Sequence, residues 1–592
     1  MDVYESMAAL DRESGESDAS ADMFALMAAQ VREGIGPVLF QEIETIPEKI
    51  PMPDGILLDA TLFIPDASQS WPVILVTNPY PSIKLMYDVM YMPDLAKCGY
   101  AVLLVSVRGT MASEGEWLPF VNEKKDGLAV LDWIGEQSWC NGNVGMFGGS
   151  YLGHTQLCLA GKTHPLLKTM FVQVWGSTKY EGFYRRGMYR EDVFTMWPAQ
   201  MMGDNRHAMR TADEEAALED KALTVYPRIN LGQALIGEDV PWLEEWMHSP
   251  ELTDSCWQTG FWDEMHRDIE SMDIPIYLCG GWYDIFIGGL MDTFRRMPAD
   301  IRKQSRMLIG PWQHDGSAGG TLEYPDEGIY GMGQIRAARE WFDYMLKGEP
   351  FPHGLGVIET YSVGENKWRT WSPAFLTTKE TVKTFYMTPE QTLSDVPSDA
   401  QRDISYVYDP KNPVRSRGGM MIINHNDRYA SAECSIEQEE VGARDDVISF
   451  VSEPLNENLL IAGSIKAVIV VSSDAPATAF TVKVCEIFAD GRSFNIRDDI
   501  TDIRWQEDGT FGTYEPGTPV ELTFDMIPIV WQLSKGSRLR VDISSSNYPA
   551  YAVHANETGP WADLIPTRTA VQTLHIGADA ARIELPTSNL II

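Results

Sequence analysis

The sequence is poor in cysteine and in basic residues, and it has no long apolar run. Seven cysteines, at 98, 140, 158, 256, 279, 434 and 485, are spread through 592 residues. They form no close pairs and their number is odd, which argues against a disulfide-built scaffold. Nothing matches Cys-x-x-Cys or His-Glu-x-x-His, so no metal and no cofactor is expected. No stretch approaches the ~18 apolar residues of a membrane span. The first forty residues lack the basic start and apolar core of a secretory signal. Bases are scarce: 47 Lys and Arg stand against 85 Asp and Glu, a formal charge of −38, which opposes binding to nucleic acid or to an anionic membrane. The acidic residues are dispersed, as on a solvated surface. A cytoplasmic protein with free thiols is the expectation.

What is present is enough apolar sequence, 44%, for several cores, and the length suggests about three or four domains at ~150 residues each. Residues 1–38 read as a polar N-terminal extension with a helical look around Ala21 to Val31. Leu39 to Ile46 and Leu57 to Ile64 read as strands flanking the turn Met52-Pro-Asp-Gly55. Strands then alternate with helices: Pro72 to Val76, Tyr100 to Val107, the helix Glu123 to Glu136, the strand Val144 to Phe147, and Leu167 to Val174. Near-continuous apolar strands alternating with helices predict a parallel sheet covered on both faces, with its active site at the carboxyl ends of the strands. This first α/β part spans 39–177. Residues 178–272 are aromatic, acidic and helix-like, with Trp197, Trp242, Trp246, Trp257 and Trp262, and predict a helical cap inserted into the sheet domain. The α/β pattern returns over 273–353, and 354–592 carries short strands at close spacing that predict a β-sandwich.

Ser150 falls where the strand Val144 to Phe147 meets a helix beginning at Tyr151. That strand-to-helix turn is the geometry of a nucleophile elbow, with Gly148 keeping the turn uncrowded and Gly153 letting the helix pass close to the strand. The generic pattern is Gly-x-Ser-x-Gly; here Leu152 takes the place of the second glycine. By itself such a turn is more often loop punctuation. Downstream, the strand Pro275 to Gly280 ends in Gly281-Trp-Tyr-Asp284, and the strand Met307 to Gly310 ends in Pro311-Trp-Gln-His314. Ser150, Asp284 and His314 therefore each follow a strand end, in the chain order Ser, Asp, His found in hydrolase folds. The chemistry needs these types: a base to take the serine proton, and a carboxylate to fix the imidazole tautomer and offset its charge. His154 competes as base, but on the elbow helix it cannot readily reach its own serine.

These motifs, with Trp341-Phe-Asp-x-x-Leu-Lys-Gly348, Ser473-Asp-Ala-Pro476, Asp490-Gly-Arg492 and Ser544-Ser-Ser-Asn-Tyr-Pro549, resemble the CocE/NonD hydrolases from about residue 40 to the end. The resemblance implies an α/β hydrolase fold with a helical cap insertion and a C-terminal jelly-roll β-sandwich. It implies nucleophile, acid and base at Ser150, Asp284 and His314. It also implies an oxyanion hole made by the Tyr80 hydroxyl, in Asn78-Pro-Tyr80, and the backbone N–H of Tyr151. Two departures stand out. Ser106 replaces the aspartate usual before Val107-Arg-Gly109, so Arg108 needs another partner. Ile285, Phe286 and Ile287 follow Asp284 where amino acid ester hydrolases carry acidic residues that hold an α-ammonium group, so recognition of that kind is not expected. The expected substrate is a small ester bound in an apolar pocket walled by Trp175, Trp282 and Phe286. Amide cleavage, by an X-Pro dipeptidyl-peptidase or a β-lactam side-chain acylase, is the alternative, and an inert hydrolase-fold binding protein is a third reading. The oligomeric state is left open.

Overall fold

Mainly apolar strands build the centre of the molecule. The computed structural model describes residues 29–587 except 30, 162–163, 178, 209, 326–333, 377–380, 423–433 and 579–580, so most of the extension, and most of the helix expected around Ala21 to Val31, lies outside the described residues. Ten strands form the first sheet: β1 (Glu44–Pro51), β2 (Leu57–Ile64), β3 (Trp71–Asn78), β4 (Ala101–Ser106), β5 (Cys140–Gly149), β6 (Leu167–Gln173), β9 (Ile276–Gly281), β10 (Arg306–Gly310), β11 (Val357–Ser362) and β12 (Lys367–Trp371), while β7 (Tyr184–Arg185) and β8 (Met188–Tyr189) pair separately. The order is β1-β2-β4-β3-β5-β6-β9-β10-β11-β12. From β4 to β11 every pairing is parallel, and β4, β9 and β10 are buried along their whole length. Burial on both faces is why these strands read as unbroken apolar runs. Helices α1 (Glu123–Gly135), α2 (Tyr151–Leu157), α5 (Ile287–Arg296) and α6 (Gln334–Phe342) belong to this part of the chain.

Two edges differ from the sequence reading. The first strand is Glu44–Pro51 rather than Leu39 to Ile46; Leu39 is 69% exposed, and the register Glu44↔Ile64 to Pro51↔Leu57 closes directly on the Met52–Gly55 turn. An edge strand tolerates Pro47 and Pro51 and needs little apolar content, so composition hid it. At the other edge, Val357–Ser362, expected to open the sandwich, pairs in parallel with β10, and Lys367–Trp371 extends the same sheet. Parallel burial and sandwich burial look alike in so short an apolar run.

Between β6 and β9 the chain is mainly helical, from Tyr180–Phe183 to Phe261–Ser271, and includes α3 (Glu191–Met201) and α4 (Ala212–Thr224). After Trp371 it is β-rich, with an eleven-stranded, mainly antiparallel sheet and a separate strand pair, Leu459–Gly463 with Ile529–Leu533. No disulfide links any of the seven cysteines. Among the described residues no helix is long and apolar enough to cross a membrane.

Candidate active site

The turn after β5 holds Ser150 at φ 57° and ψ −126°, a conformation that costs a non-glycine residue energy and persists only where neighbours enforce it. They do so by close approach. A Cβ at Gly148 would lie 2.5 Å from Leu152 Cβ, and one at Gly153 would lie 2.7 Å from Trp175 Cβ. The helix therefore meets the neighbouring strand at 153, and Leu152 is free to be a core residue packed with Phe147 and Phe171. That is why the motif's second glycine stands one place later. The Ser150 N–H is spent on Gln173 O, 3.0 Å away.

The ends of β9 and β10 are drawn together in the same way. A Cβ at Gly281 would fall 2.0 Å from Trp312 O, and one at Gly310 would fall 2.2 Å from the Trp312 ring. Only glycines let the two segments touch, and the contact is closed by Trp282 N–H donating to Gly310 O (2.9 Å) and Tyr283 N–H to Trp312 O (3.0 Å). Asp284 and His314 emerge from this pairing with Asp284 Oδ1 2.8 Å from His314 Nδ1. Asp284 is fully buried. With no solvent to share its charge, the carboxylate favours the tautomer that donates from Nδ1 and leaves Nε2 as an acceptor.

Ser150 and His314 line one cleft of about 640 Å³, together with Tyr80, Tyr151, Trp175, Phe286 and residues from the helical segment and the β-rich domain. Tyr80 follows β3, and Asn78 shapes its turn by donating to Tyr80 O (2.7 Å) and accepting from Tyr80 N–H (3.2 Å). The Tyr80 hydroxyl accepts from Trp197 Nε1 (3.0 Å) and is hydrogen-bonded to Ser150. Burial pushes its pKa up to about 12, so it remains a protonated donor. The ring of Tyr151 is buried, stacked on Phe120 with centroids 4.7 Å apart, and its hydroxyl donates to Glu123 and accepts from Phe120 N–H.

Trp175 and Phe286 lie side by side in the wall, centroids 4.5 Å apart, with Phe286 also 5.5 Å from the His314 ring. Trp282 does not belong there. It is fully buried, it donates to Tyr361 O at 2.7 Å, and it does not line the cleft. Nearness to Asp284 in sequence misled: Trp282 lies in the turn just past β9, and its indole is held by Tyr361 O instead of facing the cleft. His154 is buried with its ring edge-on to Phe120 (4.9 Å), and burial pushes its pKa down to about 3. Arg108 finds its partners in Asp126, bound through two nitrogens at 2.8 and 2.7 Å, and Asp54 at 3.1 Å.

The sequence reading missed Phe120, Asp192 and Glu219, all of which line the cleft. Phe120 sits at φ 68° in a loop that no motif marks. Asp192 on α3 is fully buried; its Oδ2 accepts from Ile422 N–H at 3.0 Å, and its Oδ1 accepts no hydrogen bond from the described residues. Burial pushes both Asp192 and Glu219 up to about 7, with the nearby acids Glu215 and Asp220 adding to the rise at Glu219. In sequence both are ordinary acids on amphipathic helices, and only the packing of the helical segment over the sheet distinguishes them.

The chain is similar to known proteins along most of its length. Residues 54–316 match the X-Pro dipeptidyl-peptidase (S15 family) model, and 357–582 match the X-Pro dipeptidyl-peptidase C-terminal non-catalytic domain. The chain is 30% identical to a cocaine esterase of Rhodococcus sp. (strain MB1 Bresler), across 91% of this chain and 97% of that protein. Among solved structures it shares the fold of an aminopeptidase from the marine sediment archaeon Thaumarchaeota archaeon, with TM-score 0.77 at 22% identity over 93% of this chain and 97% of that one. It also shares the fold of an α-amino acid ester hydrolase, with TM-score 0.76 at 21% identity over 94% and 98%.

Proposed function

This chain belongs to the CocE/NonD family of serine hydrolases, and we propose that it cleaves carboxylic esters through an acyl-enzyme formed on Ser150. The observation that carries this reading is the Asp284–His314 pair opening into the same aromatic cleft as Ser150 and Tyr80. Ser150 Oγ attacks the ester carbonyl while His314 Nε2 takes its proton. Asp284 holds the ring through Nδ1–H and offsets the imidazolium charge. The developing oxyanion is met by the Tyr80 hydroxyl and the Tyr151 backbone N–H, donors set in place before the charge appears. His314 then protonates the leaving alcohol, and water repeats the cycle on the acyl-enzyme. The acyl group packs on Trp175 and Phe286. The helical segment acts as a cap, and the β-rich domain, read as a jelly-roll sandwich, closes the cleft with Met421 and Ile422.

The test is a turnover panel of alkyl and aryl esters, amino acid esters and X-Pro amides. Ester turnover well above amide turnover is expected. No turnover of any ester, together with no labelling by a serine-directed phosphonate, would sink the reading in favour of an inert binding protein. Tyr80→Phe isolates the oxyanion donor, since it removes only a hydroxyl. We expect kcat/KM to fall roughly a hundredfold or more, with Tm little changed; near-normal turnover with a lowered Tm would make Tyr80 a packing residue.

Asp192 and Glu219 favour a second reading of the substrate, an ester bearing a protonated amine on the side that faces the helical segment. Both carboxyls titrate near pH 7; they are charged above that pH and neutral below it, and a bound cation favours the charged form. KM for a cationic ester should therefore rise as pH falls from 8 to 6, while KM for a neutral isostere stays flat. Parallel curves for the two esters would remove amine recognition and leave the esterase reading standing.

A further inference from the structure

We propose that the β-rich domain carries a second, independent acyl-accepting serine, Ser472, activated by His575 and Asp403. The three residues come from neighbouring antiparallel strands, Ser398–Tyr408, Ala570–Ala578 and Lys466–Ser473. The ladder register sets Asp403 directly opposite His575 and Ser472 directly opposite Thr573. Residues 573 and 575 share one face of their strand, so Ser472 and His575 are diagonal neighbours on that face, within reach of a long side chain. The alternate residues Val471 and Leu574 are buried in the core. The outcome is an unbroken relay, with Asp403 Oδ1 2.9 Å from His575 Nδ1 and His575 Nε2 2.9 Å from Ser472 Oγ. Accepting from Nδ1–H, Asp403 selects the tautomer whose free lone pair is at Nε2, the atom that can take the serine proton. The side chains of Asp403 and His575 are 68% and 24% exposed while Ser472 is only 7% exposed, so reagents meet the relay at its histidine end. None of the three residues lines the cleft that holds Ser150.

The local backbone sets the class of acyl donor. Ser472 lies within a strand rather than on a strained turn, and the N–H of the following residue, Ser473, already donates to the Tyr514 hydroxyl at 2.8 Å. The donor that follows the nucleophile in an elbow is therefore occupied. With that help missing, the relay suits acyl groups on a leaving group that departs readily as an anion, such as aryl esters. With p-nitrophenyl acetate, Ser472 Oγ bonds to the carbonyl carbon as its proton passes to His575 Nε2. The carbonyl–aryloxy bond breaks, and p-nitrophenolate leaves with the electron pair. The imidazolium returns its proton to solvent. Water, deprotonated by neutral His575, then releases acetate and restores Ser472.

The test uses the full chain carrying Ser150→Ala, which removes the proposed first site, treated with p-nitrophenyl acetate and analysed by intact mass and peptide mapping. Expected is an acetyl group on Ser472, formed roughly tenfold or more faster than in the same chain carrying Asp403→Asn or His575→Gln as well, and absent with Ser472→Ala. Acetyl groups spread over lysines and other serines at rates unaffected by Ser472→Ala would overturn the proposal. So would Ser472 labelling that is indifferent to Asp403→Asn, a change to a surface side chain that leaves the strand intact. If these variants lower Tm without altering labelling, the three residues are a polar cross-strand ladder and nothing more. The reading of Ser150 stands or falls separately, on phosphonate labelling and turnover of the wild-type chain.

Discussion

Ser150→Ala is expected to lower turnover of an alkyl ester by roughly 10⁴-fold or more, with KM and Tm little changed. The size follows from what the hydroxyl does in the proposed mechanism. Without a nucleophile, His314 has no proton to take and no acyl-enzyme forms, so only binding and the oxyanion donors remain. The fold should survive, because alanine inherits the same φ of 57° and loses only the bond to the Tyr80 hydroxyl. The constraints that hold the turn, at Gly148 and Gly153, are untouched. The check is steady-state turnover of an unactivated ester alongside stoichiometric phosphonate labelling of Ser150. A variant that retains wild-type turnover would remove Ser150 from the chemistry and return its strained backbone to the status of an unexplained turn. An unactivated ester is the right substrate, since the Ser472 relay bears only on good leaving groups.

The parts of this arrangement that could be read in the sequence are those where packing leaves a strict local signature. The strand-to-helix turn at Ser150, and the glycines that bring β9 against the loop after β10, admit almost no other residue, because a Cβ at Gly281 or Gly310 would overlap Trp312. Strands buried on both faces likewise give themselves away as unbroken apolar runs, and their carboxyl ends locate Asp284 and His314. What could not be read depends on distant segments meeting. Asp192 and Glu219 become cleft residues only when α3 and α4 are laid over the sheet, and Met421 and Ile422 only when the β-rich domain docks. Trp282 failed for the opposite reason: its neighbours in sequence are in the site, but its indole is directed into the core, where Tyr361 O binds it. The partners of Arg108 were open in sequence because Asp54 and Asp126 lie 54 and 18 residues away.

His314→Ala should abolish ester turnover to nearly the same extent as Ser150→Ala, and His154→Ala should leave most of it. The two histidines differ in their surroundings. His314 receives Asp284 at Nδ1 and opens into the cleft with its other nitrogen, so removing it leaves the serine without a base and the leaving alcohol without an acid. His154 sits on α2 four residues after the serine, fully buried, with aromatic rings of Phe120 and Trp175 against it. Burial holds it neutral down to about pH 3, so it gains no proton in the range where a general base must cycle. Its loss opens a cavity beneath Phe120, and the cost should appear as a lowered Tm, of about 1–3 kcal/mol in stability, rather than in kcat. Because both serine and histidine act on one step, Ser150→Ala/His314→Ala should be no slower than either single variant. The decisive measurement is kcat and Tm on the same samples of all four proteins. If His154→Ala lost turnover while His314→Ala kept it, or if the double variant were slower by the product of the two single losses, the Ser150–His314–Asp284 assignment would be wrong.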